Sequence, residues 1–208
     1  MKVNKITLVA CIVFLAFSLI SSIVLADCTI VAVGKDATVN GTAMITHNDD
    51  SSSADFRLWI IPEMDWPEGS TRDIVIDGHN YVDYGKWPNV EYGEKPIIMG
   101  TIPQVPHTYR YFHSRYSFMN EMGVAMGEST FPIGTHFPKG EEIKRVMKDE
   151  SEGIIDCWYA QDIALERAKT AREAVQIMGD LVEEFGWYGS GETINVTDGD
   201  EVWIAEFY

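Results

Sequence analysis

Apolar and polar positions along this chain fall into three regimes. An unbroken apolar run from Ile6 to Leu25 follows Lys2 and Lys5 and closes in Val24-Leu25-Ala26, the pattern of a secretory leader with small residues before the cut. The run is also long enough to span a bilayer if it is not removed. From Cys28 onward, short β-prone runs take over. "CTIVAV" and "TAMITH" flank the polar, glycine-bounded stretch "GKDATVNG", which predicts a hairpin. Closing it from Gly34 to Gly41 sets Val33 opposite Thr42 and Cys28 opposite His47. The segment from His47 to Asp50 is therefore delivered beside Cys28, and a slip of one or two residues keeps it there.

Further strands are expected in "RLWII" at 57–61, "DIVID" at 73–77, "KPIIMG" at 95–100, "HTYRYFHSRYSFM" at 107–119 and "GVAMGES" at 123–129. Pro- and Gly-rich turns such as "PEMDWPEGS" and "TFPIGTHFPKG" separate them. From Glu150 the period changes to that of a helix. Ile154, Trp158, Leu165 and Ala168 share one face, and Thr170 to Glu173 forms a capping-box pattern ahead of Ala174, Ile177, Met178, Leu181, Val182 and Phe185. A last hairpin is expected from "TINVT", the turn "DGD" and "EVWIAEFY". Strands, then a helix pair, then strands again indicate an α+β sandwich rather than alternating parallel units. The chain ends inside an apolar strand, so a truncated fragment is expected.

The domain plan that follows is a leader at 1–27 and one domain at 28–208, with 46% hydrophobic residues to build a core. Formal charge is −16; loss of Lys2, Lys5 and Asp27 with the leader leaves 14 basic and 31 acidic residues, a net −17. Such a surface repels nucleic acid and anionic membranes. Nucleic acid is therefore not an expected partner, and membrane contact is expected only through an uncleaved leader. Of three cysteines, Cys11 belongs to the leader, so an exported chain has at most one disulfide, between Cys28 and Cys157. Cys157, beside Trp158 in the helical pattern, reads as a small buried thiol, which leaves Cys28 unpaired.

An unpaired cysteine at the start of a mature chain has a specific chemistry. A thiol of pKa ~8.5 is mostly protonated at neutral pH, and a free α-amino group of pKa ~8 can take its proton. If Cys28 becomes the first residue it carries its own general base. A carboxylate from Asp49 or Asp50 would orient the ammonium, and a hydrogen-bond donor would stabilise the oxyanion.

Three separated blocks, "CTIVAVGKDATVNGTAMITHNDD", "IPQVPHTYRYFHSRYSFMNEMGVAMGEST" and "ALERAKTAREAVQIMGDLVEEFGWYGSGET", resemble the dipeptidase A and secernin family of N-terminal-nucleophile cysteine peptidases. The resemblance implies an αββα sandwich, dipeptide cleavage, Cys28 as nucleophile and its α-amino group as base. The family in turn is similar to the penicillin-acylase and bile-salt-hydrolase group. Against that group's Arg-x-x-Asp motif, Asp50 matches the aspartate and His47 stands in place of the arginine. Asn120-Glu121-Met122-Gly123 matches its Asn-Glu-x-Gly turn, and the oxyanion position falls near Thr130. The resemblance implies no metal or organic cofactor.

Other residues read more plainly. His107 and His113 have no Cys or carboxylate at metal spacing. Asn40-Gly-Thr42 and Asn195-Val-Thr197 match the glycosylation pattern by chance, and Asp198-Gly-Asp200 is a hairpin turn. The expectation is an exported cysteine dipeptidase acting on a dipeptide or small amide, with oligomeric state undetermined. Its rivals are an amidohydrolase acting on non-peptide acyl amides and a membrane-anchored, inactive binding domain.

Overall fold

A computed structural model describes residues 28–50, 58–76, 97–131, 139–145 and 152–208. The leader expected at 1–27 lies outside the described residues, as does most of "TFPIGTHFPKG". In chain order the elements are β1 (Thr29–Val33), β2 (Met44–Asn48), β3 (Trp59–Ile61), β4 (Met64–Asp65), β5 (Thr71–Ile76), β6 (Ile97–Pro103), β7 (His107–Thr108), β8 (Tyr111–His113), β9 (Met119–Asn120) and β10 (Ala125–Phe131). Helices α1 (Gly140–Lys144), α2 (Cys157–Arg167) and α3 (Ala171–Phe185) follow, then β11 (Gly191–Thr197) and β12 (Val202–Phe207). The fold is α+β with antiparallel sheets, as the order of patterns predicts.

The first hairpin forms with a shifted register. β1 pairs antiparallel with β2, Ile30 opposite His47 and Thr29 opposite Asn48, which carries Cys28 to the level of Asp49 rather than His47. Thr42 and Ala43 stay out of the ladder, and the Ala43 N–H donates instead to the Gly199 carbonyl at 2.7 Å. A two-residue shift leaves every side chain on its expected face. Cys28, His47 and Asp49 therefore still share one side.

The largest sheet has six antiparallel strands in the order β12-β11-β10-β9-β8-β3. Its middle shows where the pattern of polar residues was misread. "HTYRYFHSRYSFM" is not one strand: β8 and β9 pair with each other, Tyr111 opposite Asn120 and Phe112 opposite Met119. The chain doubles back through Ser114-Arg115-Tyr116, with Tyr116 packed against the core and Ser117 buried. Conversely, Met64–Asp65 in the expected turn "PEMDWPEGS" adds a short strand to β7.

Side chains along β11 alternate between two layers. Ile194 and Val196 are fully buried in a core with Met126 and with Ile163, Leu165 and Met178 of the helices. Each such side chain contributes about 1.5–3 kcal/mol on leaving water. Asn195 between them turns the other way, its Nδ2 donating to the main chain of the first hairpin at Val31 (3.2 Å) and Thr46 (3.4 Å). The helix pair thus covers one face of the sheet and the β1–β2 hairpin the other.

α2 starts later than its apolar spacing suggests. Ile155 is extended and bridges to Trp187, and Asp156 caps the helix by accepting from the Tyr159 N–H at 2.9 Å. Nearly every α2 side chain is buried, polar ones included. α3 is amphipathic as expected, burying Ala171, Ala174, Met178 and Leu181. Its cap is the predicted one: Thr170 accepts from the Glu173 N–H, and Glu173 accepts from the Lys169 N–H. Asp198 in the last turn also accepts from the Ala171 N–H at 2.9 Å.

Two carboxylates buried along α2 have partners, whereas the fully buried Gln161 amide has none among the described residues. Glu166 pairs with Arg72 of β5 at 2.7 Å, both side chains 7% exposed or less, and accepts from the Tyr111 hydroxyl. Asp162 accepts from Ser117, whose hydroxyl also bonds His113. This His-Ser-Asp set is closed to solvent and ties β8 to α2. His107 bonds Asp65 at 2.7 Å.

Removing one member of a buried pair leaves the other charge without compensation. Glu166→Ala is expected to lose about 3–5 kcal/mol in urea unfolding. Arg110→Ala, which breaks half-exposed contacts to Glu63 and Glu121, is expected to lose less than about 1 kcal/mol.

Candidate active site

Cys28 stands at the head of β1, and the first hairpin is held to the sheet so that its thiol meets carboxylates from two layers. Three contacts fix that docking. Ser129 of β10 donates to the Cys28 carbonyl at 3.1 Å. Asn195 holds both hairpin strands by their carbonyls, as described. Gly127 lies directly under His47: a Cβ there would stand 2.5 Å from the His47 Cβ and 2.9 Å from Asn195 Oδ1. Only glycine permits the approach.

The thiol then finds its partners. Cys28 Sγ donates to Asp49 Oδ1 at 3.1 Å, and the Asp50 main-chain N–H also reaches the sulfur. His47 Nε2 lies 3.3 Å from Oε1 of Glu128, which is fully buried. Ligand atoms of Cys28, Asp49 and Glu128 lie within 4.8 Å of one another. These are the described residues with a geometry able to hold a metal ion, and one thiol proton already occupies the Cys28–Asp49 edge.

Behind Glu128 a second buried carboxyl, Glu192, shares its environment. Thr130 Oγ1 donates to Glu192 Oε1 at 2.8 Å and lies 3.4 Å from Glu128 Oε2. Two carboxylates this close cannot both be charged. Burial, together with the hydrogen bond and charge of Glu128, holds Glu192 well above the usual carboxylate range. Burial also pushes Glu128 up, but hydrogen bonds from His47 and Glu192 outweigh it and keep this carboxyl ionised. The pair therefore holds one proton between its two carboxyls.

That charge bears on the thiol. Burial first, then the Asp49 hydrogen bond and the charge of Glu128, push Cys28 up to about 12. Burial raises Asp49 as well, against the pull of its bond from Cys28. With residues preceding it, Cys28 is a protonated thiol facing anions. Cys157 is a free, buried thiol on the far side of Glu192, raised by burial and by that neighbour, and the two cysteines are not bonded to each other.

Of the residues expected at the site, Cys28 and His47 are brought together. Asp50 presents its N–H rather than its carboxylate, which is exposed and accepts from Asn48 at 3.4 Å; the side chain on the thiol is that of Asp49. Asn120 lies elsewhere. Its Nδ2 donates to the carbonyls of Leu165 (2.9 Å) and Ala168 (2.8 Å), and its Oδ1 accepts from Met122 and Val124, so it braces the β9–β10 turn against the end of α2. Thr130 joins the carboxyl pair. Glu128, Glu192 and Ser129 escaped the sequence reading because a polar residue in "GVAMGES" or "GETINVT" looks like an outward-facing strand position. Asn195, read as a chance glycosylation match, is fully buried.

Comparison with known proteins adds a family and a relative. The description of peptidase family C69 matches residues 27–208. A protein of Bifidobacterium longum (strain NCC 2705) named "Dipeptidase" is 28% identical over 187 residues, 86% of this chain and 33% of the relative. The chain thus spans about a third of the length of that relative.

The electrostatics generate a direct test. In the chain that retains Asp27, alkylation of Cys28 by iodoacetamide is expected to rise about tenfold per pH unit from pH 7 to 11 without a plateau. Asp49→Asn and Glu128→Gln each remove a negative charge that holds the thiol protonated, so both are expected to speed alkylation at pH 8. A plateau near pH 8.5 in the unmodified chain would contradict the arrangement.

Proposed function

The chain belongs to peptidase family C69, and from that premise we propose that it is part of a cysteine dipeptidase whose nucleophile is Cys28 once that residue is N-terminal. The observation that carries this reading is the Cys28 thiol at the head of β1, hydrogen-bonded to Asp49 at 3.1 Å with Glu128 alongside. The relative named "Dipeptidase" supports the substrate class. A leader ending in Val24-Leu25-Ala26 supports export and exposure of Cys28 after removal of Asp27. Helices, main sheet and hairpin form three stacked layers, which supports the αββα sandwich of N-terminal-nucleophile hydrolases.

Cleavage ahead of Cys28 changes the local charge. A new α-ammonium appears a few ångströms from the thiol, and the Oδ2 of Asp49 is buried with no hydrogen-bond partner among the described residues. An ammonium there satisfies that oxygen and adds a positive charge directly beside the thiol. The thiol falls from its raised value, and in its free-base form the amine accepts the thiol proton.

The thiolate then attacks the scissile carbonyl carbon. As the C–N bond breaks, the ammonium gives its proton to the leaving nitrogen and the acyl group remains as a Cys28 thioester. Water, deprotonated by the same amine, hydrolyses it and returns the thiol. The Asp50 main-chain N–H beside the sulfur is the proposed donor to the oxyanion, a role for which Asn120 has no amide hydrogen left. His47 acts through Glu128, holding it ionised beside the thiol.

A chain beginning at Cys28 is expected to hydrolyse dipeptides, and one beginning at Asp27 to be inactive. N-terminal sequencing with intact mass, run beside a dipeptide panel, checks both. Cys28→Ala is expected to lose at least about 10³-fold in turnover. Wild-type turnover by Cys28→Ala would sink the mechanism.

A further inference from the structure

The donor atoms around the Cys28 thiol have a second use that hydrolysis does not call on. Cys28 at the head of β1, Asp49 just past β2 and Glu128 in β10 come from three separate segments, and their ligand atoms lie within 4.8 Å of one another. The Cys28–Asp49 edge is 3.1 Å. A four-coordinate zinc ion, with bonds of about 2.0–2.3 Å, needs donor atoms about 3.3–3.7 Å apart. The three atoms therefore surround such an ion after shifts of about 1 Å.

Two further observations point to a cation at this place. Asp49 Oδ2 is buried with no hydrogen-bond partner among the described residues, although buried carboxylate oxygens are ordinarily satisfied. Glu128 is fully buried, and His47 Nε2 stands 3.3 Å from its Oε1, the kind of outer contact that orients a carboxylate ligand. The donor set also selects among ions. One thiolate beside two carboxylates suits zinc or cobalt(II), whereas magnesium and calcium take oxygen donors alone and in larger number.

Cleavage ahead of Cys28 completes the set. The freed α-amino nitrogen and the sulfur belong to one residue, so an ion bound to both closes a small chelate ring, and Asp49 and Glu128 fill the remaining positions of a four-coordinate site. We propose that Cys28, Asp49 and Glu128 bind a thiophilic divalent cation of the zinc class, and that in the mature chain this ion also takes the Cys28 amine and holds the enzyme inactive until it is removed. On binding, one proton passes from the thiol to solvent and, in the mature chain, a second passes from the ammonium. Nucleophile and base are then both occupied by the ion. The site itself stands on the geometry of the three side chains; the loss of activity rests on the dipeptidase reading.

The test titrates zinc and cobalt(II) into the chain that retains Asp27 and into the chain that begins at Cys28, with magnesium as the contrast. One cobalt(II) per chain is expected to give a thiolate-to-cobalt absorption band in both, and the mature chain is expected to bind zinc at least about tenfold more tightly because the amine adds a ligand. Cys28→Ser is expected to abolish the band, and Asp49→Asn and Glu128→Gln each to weaken zinc binding at least about tenfold. Glu183→Gln, exposed on α3, is expected to leave the affinity unchanged. If the site variants do not fold, wild type decides through protection: zinc, and not magnesium, should block iodoacetamide at Cys28, read peptide by peptide so that Cys157 is told apart. A cobalt band that survives Cys28→Ser, a zinc affinity unmoved by both carboxylate variants, or equal protection by zinc and magnesium would overturn the site. Mature chain that cleaves dipeptides at full rate with zinc bound overturns the inhibition and leaves the peptidase reading standing. Mature chain freed of metal by EDTA that cleaves no dipeptide overturns the dipeptidase reading, while the cobalt band still decides the site.

Discussion

The close approach of the first hairpin to β10 at Gly127 is the contact on which the rest of the site depends. Any side chain there would collide with His47, and moving His47 away would take Asp49 and Cys28 with it, since all three lie on one face of the hairpin. The approach is kept by hydrogen bonds rather than by apolar packing. Asn195 reaches across to two main-chain carbonyls, and Ser129 holds the carbonyl of Cys28 itself. Each such bond contributes about 0.5–1.5 kcal/mol, but their directionality matters more than their sum. Apolar contact would press two sheets together; these bonds also fix which strand residue faces which.

Once the hairpin is seated, electrostatics follow from what the two layers carry. The hairpin brings a thiol and Asp49, and the sheet brings Glu128 and Glu192. Packing four acidic groups together is tolerable only if protons are shared, so the Glu128–Glu192 pair holds one proton and Cys28 keeps its own, with His47 favouring the charged form of Glu128. An anionic pocket around a protonated thiol is a poor nucleophile's environment and a good receptor for a cation.

Several features were readable in advance because they rest on local rules. The hairpin at Cys28, the Thr170–Glu173 cap, the inward face of α3 and the turn at Asp198 follow from glycine placement, capping chemistry and helical period. Register was the weak point. Counting from Gly34 and Gly41 missed that Thr42 and Ala43 stay outside the ladder, and the hydrogen bond that withdraws Ala43 comes from Gly199, over a hundred and fifty residues away. Because the error was two residues the face survived, and the structure chooses between the two carboxylates the hairpin offered. Asp49 meets the thiol while Asp50 turns to solvent. In the same way, the aromatic run at 107–119 shows β-propensity throughout, but its fold into β8 and β9 depends on what those strands pair with.

The sequence by itself determined the kinds of element, their order, the unpaired cysteine that follows an apolar run and the family to which the blocks belong, because each of these is written in neighbouring residues or in their spacing. Tertiary structure decided which carboxylates face the thiol, that Glu128 and Glu192 share one proton, and that Asn120 braces a turn while Asn195 joins two layers. A polar residue in a strand looks the same from the sequence whether its side chain meets water or a buried partner. Only the packing of one layer on another assigns the partner, and with it the charge.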